Sequence, residues 1–72
     1  MADINDLTNW SGPHNSRADA IEALYCLAGG GYEAAIWCWR SKWYINDGID
    51  PDTGKKWKTL PKKGIATWVK IW

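Results

Sequence analysis

Phenylalanine is missing from this 72-residue chain, although it carries seven tryptophans and three tyrosines. Every aromatic ring therefore bears an N–H or O–H, which suits half-buried positions where one edge meets water or a ligand. Histidine is represented by His14 alone, in a turn-rich stretch. Neither a Ser-His-Asp nor a Cys-His set is readily assembled from it, and a surface histidine is expected. The two cysteines, Cys26 and Cys38, are too few for a disulfide framework or a zinc site, so buried free thiols are expected. No run approaches the ~18 apolar residues of a membrane span, and the opening MADINDL has neither a basic nor an apolar leader region. A cytoplasmic chain with no membrane partner is the expectation. Acid is absent after Asp52, whereas Lys55, Lys56, Lys58, Lys62, Lys63 and Lys70 follow it. A chain of formal net charge +1 thus has a basic C-terminal third, a candidate anion-facing surface. At 8.2 kDa it makes one small domain, and folding buries only about 60% of the unfolded surface of a domain this small. That argues against an enzyme with an interior cleft and makes self-association useful.

What is present reads as an α+β domain, one main helix packed on a three- or four-stranded antiparallel β-meander. Residues 1–15 are an N-terminal arm or short helix, with Ile4, Leu7 and Trp10 spaced three apart before Ser11-Gly12-Pro13 breaks the chain. Residues 16–28 are a helix, capped by Asn15 or Ser16 with Asp19 three residues on, its apolar stripe formed by Ala20, Ile21, Leu24, Leu27 and Ala28. Gly29-Gly30-Gly31 supplies its C-terminal stop. Residues 32–72 are sheet: a hairpin from YEAAIWCW and KWYIN around Arg40-Ser41, a short strand from Lys55 to Leu60, and Ile65 to Trp72 with period-two alternation. Alternation puts Ile36, Cys38, Val69 and Ile71 toward the helix, and Trp37, Trp39, Trp68, Lys70 and Trp72 on the opposite face, with Trp43 or its neighbours sharing hairpin faces. Trp10 and Trp57 are expected to be packing residues.

Chemistry follows from what that face can touch. Asp47, Asp50 and Asp52 resemble a calcium loop only in part, since Pro51 interrupts them and no glutamate follows; they read as turn caps. The glycine run follows a helix and precedes a strand, the reverse of a phosphate cradle. No cofactor, metal or catalytic set is expected. Indoles stack on flat π systems and lysines neutralise phosphates, so Trp37, Trp39, Arg40, Trp43, Lys58, Trp68 and Lys70 form a candidate ligand site. The same residue types also make protein interfaces, where Trp, Tyr and Arg dominate the binding energy. A solubilising, edge-protecting role is the plain alternative for the lysines.

The order of RADAIEALYCLAGG, IWCWRSKW and IATWVKIW resembles that of short Trp-rich phage and prophage proteins, among them the Thoeris anti-defence proteins that sequester signalling nucleotides. The resemblance spans about Arg17 to Trp72 and maps ligand contacts onto Arg40, Trp43, Thr67 and Trp68; the Pro-Ser-x-x-Asp approach to the closing strand is replaced here by Leu60-Pro61-Lys62-Lys63-Gly64. It implies a non-enzymatic counter-defence protein that binds a nucleotide-like small molecule; because a chain this small has little interior for a pocket, a homo-oligomer with the ligand between protomers is expected. The alternatives are an inhibitor that blocks a host defence protein by direct contact, and a single-stranded nucleic-acid binder.

Overall fold

The structure is a computed structural model that describes residues 3–28 and 32–71. The glycine run 29–31 and Trp72 lie outside the described residues, as do the side-chain expectations at Leu27, Ala28 and Ile71. The helix α1, Arg17–Ala28, starts where expected, with Ser16 Oγ accepting from the Asp19 N–H at 3.1 Å. Strands β1 (Ser11–His14), β2 (Tyr32–Trp39), β3 (Lys42–Asn46) and β4 (Ile65–Ile71) form one sheet in the order β1-β3-β2-β4, every neighbouring pair antiparallel. The α+β class with one helix on a four-stranded antiparallel sheet is as the sequence implied. The strand order is not sequential, because β4 pairs with β2 rather than beside β3.

Two elements differ from expectation. The fourth strand is β1, which pairs at the edge with β3 through an irregular register and carries a cis Gly12–Pro13 bond. An edge strand tolerates proline because only one side of it needs donors. Lys55 to Leu60 is not a strand. The Asp50 N–H bonds the Lys55 carbonyl and the Trp57 N–H bonds the Gly48 carbonyl, so the chain folds back on residues 48–50 and leaves one bridge, Ile49 with Lys56. Two of the three aspartates cap these turns: Asp47 accepts from the Ile49 N–H and Asp50 from the Asp52 N–H.

Helix α1 packs on β3, β2 and β1, burying Ala20 and Leu24 against Ala34, Ile36 and Ile45, with Val69 alongside. The face assignment from alternation is therefore correct for Ile36 and Val69. The opposite face is not bare. Ile4 and Trp10 from the arm and Trp57 from the loop bury Ala35 and Trp37 in a second core, with Trp39, Tyr44, Leu60, Ala66 and Trp68 half-buried around it. Trp10 and Trp57 are packing residues, as expected.

Three tryptophans use the indole N–H as a structural donor. Trp10 donates to the Ile4 carbonyl, Trp37 to the Lys63 carbonyl and Trp57 to Asn46 Oδ1. The polar edges that the sequence pointed toward water or a ligand instead tie irregular segments to each other and to the sheet, which a phenyl ring cannot do.

The β2–β3 connection is a two-residue turn, with Trp39 opposite Lys42. Both its central residues are left-handed, Arg40 at φ 54° and Ser41 at φ 63°, the geometry that normally selects Asn-Gly. Each non-glycine residue there costs about 1 kcal/mol or more. Ser41→Gly is therefore expected to stabilise the domain by about 1 kcal/mol, read as a rise in thermal midpoint of several degrees.

Candidate functional site at the hairpin tip

The two-residue turn decides which tryptophans share a face. Pairing Trp39 with Lys42 and Trp37 with Tyr44 places these four on the second-core side, while Trp43 pairs with Cys38 on the helix side. Trp43 packs against the helix-side core and is not a neighbour of Trp39. Trp37 is 1% exposed and stacks on Trp39, their ring centroids 5.6 Å apart and planes 9° from parallel. Its ring is a core element, closed to a ligand, whereas Trp39 is half-buried.

Trp39 carries the exposed chemistry. The Arg40 guanidinium lies 4.5 Å and the Lys63 ammonium 5.5 Å from its ring centroid. Neither cation has a carboxylate partner among the described residues. Lys63 reaches this position because the Trp37 N–H holds its carbonyl at 2.7 Å and because Gly64, at φ 64°, lets the turn press against the Cys38 carbonyl where a Cβ would collide. Two positive charges thus converge on one indole, one of them from a backbone tied to a buried neighbour, an arrangement suited to an anion.

The remaining predicted residues are spread out. Trp68 is half-buried beneath Lys56, whose ammonium lies 4.2 Å from its ring centroid and 3.1 Å from Glu33 Oε1. Lys70 pairs in register with Glu33 on the same face. Thr67 is exposed on the helix side of β4, opposite Ile36, and Lys58 is exposed in the loop. From sequence, Lys63 is expected to hold phosphate only as one of Arg40, Lys42 and the Lys55 to Lys63 cluster, since a tertiary hydrogen bond places it.

His14 and the thiols depart from expectation. His14 sits on β1, half-buried, with Nε2 shielded and unpartnered. Cys26, which lies off the α1 stripe, is exposed, and Cys38 is half-buried. His14 and Cys26 line a cleft of about 510 Å³ beside Ala23 and Ile45. Among the described residues no three His, Cys, Asp or Glu side chains gather to hold a metal, and no helix is long and apolar enough to cross a membrane.

Compared with protein-family models, curated proteins and solved structures, the chain matches none.

Proposed function

We propose that this chain is a small non-enzymatic binding protein of the phage counter-defence type, holding a nucleotide-like ligand by its phosphates at the hairpin tip. The observation that carries this reading is the convergence of Arg40 and Lys63 on Trp39 without an acidic partner. Both charges lie close to one ring, so an anion placed there feels them together within the ~10 Å Debye length of 0.1 M salt. Strain supports it too. A left-handed arginine persists where a glycine or asparagine would be easier, and such outliers concentrate at ligand sites. The tip lies on the surface, so sequestration calls for a second protomer to cover the ligand, and sedimentation is expected to show assembly when nucleotide is added.

Titration with pyrophosphate tests the site. Arg40→Glu is expected to weaken binding by at least about tenfold, or 1.4 kcal/mol, while Lys55→Glu, on the turn near Asp50, changes it little. Equal affinities for the two variants would remove the tip from the ligand site.

One observation favours a protein target instead. Ile65 is 68% exposed and pairs with Cys38, one residue from Trp39, giving the tip an apolar flank of the kind protein interfaces bury. A stoichiometric host protein captured by the wild-type chain and lost with Arg40→Glu, without nucleotide binding, would establish that alternative.

A further inference from the structure

Lys63 belongs to a second feature besides the tip. With Lys62, Leu60, Thr59 and Asn5 it lines a cleft of about 540 Å³ between the N-terminal arm and the loop that precedes β4. Asn5 and Thr59 also line an adjoining cleft of about 440 Å³, walled by Asp3, Asp50, Trp57 and Lys58. Sharing these two residues, the clefts lie side by side. They run from the cations at the tip to a pair of carboxylates, and each is of the size that small-molecule sites occupy, about 300 to 1,000 Å³.

The groove has a polarity. Lys62 and Lys63 line one cleft, with Arg40 beyond Lys63 at the tip, and no acid lines it. In the other, Asp3 and Asp50 outnumber Lys58. The two aspartates are held in place through Oδ1, Asp3 by the N–H groups of Asn5 and Asp50 by the Asp52 N–H. Carboxylates in fixed positions accept from hydroxyl or amino donors and repel phosphate. A ligand that fits must therefore be anionic at one end and neutral and donor-bearing at the other.

We propose that the two clefts are one binding groove for a nucleoside diphosphate-like ligand, its diphosphate at Arg40, Lys62 and Lys63 and its sugar hydroxyls or base amino group at Asp3 and Asp50. Asn5 and Thr59 lie at the waist, where they contact the middle of the molecule, and Trp57 and Leu60 contribute apolar surface. This rests on the tip being a phosphate site and adds the class and direction of the ligand. A single strand fits worse, because its phosphates continue past the carboxylates.

The test is calorimetric titration with ADP, pyrophosphate and oligothymidylate at equal ionic strength, on the wild-type chain and on Thr59→Trp. Thr59 is exposed and lines both clefts, so an indole there fills the waist without entering either core. ADP is expected to bind at least about tenfold tighter than pyrophosphate, and Thr59→Trp to remove that advantage, with circular dichroism showing the variant folded. Pyrophosphate binding as tightly as ADP, with Thr59→Trp silent, overturns the groove and leaves the tip site standing. Oligothymidylate binding as tightly as ADP overturns the polarity. If no probe binds, the tip site falls and the groove with it.

Discussion

Asn46→Ala is expected to lose about 3 kcal/mol of stability, although Asn46 itself lines neither cleft of the proposed groove. Asn46 is 6% exposed at the end of β3, where three segments meet. Its Nδ2 donates to the Asn9 carbonyl at 2.7 Å, and its Oδ1 accepts from the Gly48 N–H at 2.6 Å and from the Trp57 indole at 3.2 Å. Alanine leaves all three partners unpaired. Gly48 cannot move away, because at φ 84° it is packed where a Cβ would meet the Glu33 carbonyl at 2.9 Å and Trp68 at 3.0 Å. Each orphaned buried group costs about 1 to 3 kcal/mol, and groups sharing one side chain do not add in full. For a domain of this length the thermal midpoint should fall by on the order of 10 to 20 °C, followed by circular dichroism.

Asn46→Asp separates hydrogen bonding from shape. It keeps the Oδ1 acceptor but turns a second oxygen toward the Asn9 carbonyl. Burial and that carbonyl disfavour the charged form and oppose the Gly48 and Trp57 N–H donors at Oδ1; the variant is expected to have its folded carboxyl pKa above the unfolded ~3.9, burial being the larger effect. A raised carboxyl pKa gives stability that is present below the unfolded pKa and lost as pH rises through the folded one. The variant's deficit against wild type is thus expected to be large at neutral pH and to shrink on acidification, as the protonated acid can donate to Asn9. A deficit independent of pH would mean that Asn46 acts by packing alone.

The regular part of this fold was legible and the irregular part was not, for a physical reason. Ser16, Asp19 and the Ala20–Leu24 stripe announce α1, and alternation separates Ile36 and Val69 from Trp37 and Trp68, because a period carries information about a face. The second core has no period. Ile4, Trp10, Trp57 and Leu60 come from irregular segments, and the two indoles are placed by hydrogen bonds, Trp10 to the Ile4 carbonyl and Trp57 to Asn46 Oδ1. Trp43 shows how a period fails at a connection. It lies four residues from Trp39, an even spacing, yet the two-residue turn resets the count so that Lys42 becomes the partner of Trp39. At the site, the aromatic and basic composition was readable from sequence. The convergence of Arg40 and Lys63 was not, since it depends on a bond from Trp37 to a residue 26 positions away.

Trp37→Ala is expected to be the most damaging single change. The ring contacts Trp10 at 5.3 Å, Trp39 at 5.6 Å and Tyr44 at 5.9 Å between centroids, and its removal opens a cavity at the middle of the second core. Large-to-small changes of this kind cost about 3 to 5 kcal/mol. A chain of this length holds, at roughly 0.05 to 0.15 kcal/mol per residue, no more than about 10 kcal/mol in total. Near-UV circular dichroism should show the indole signal collapsing at or near room temperature. Trp37→Phe is the informative companion. It keeps most of the ring volume and deletes only the N–H that holds the Lys63 carbonyl, so it should stay folded with a loss of about 1 to 3 kcal/mol. It should also weaken pyrophosphate binding severalfold, because Lys63 is no longer fixed over Trp39. A Trp37→Phe protein that loses stability but binds pyrophosphate as wild type does would show that the tip holds its geometry without the buried indole, and Trp37 would then be a packing residue only.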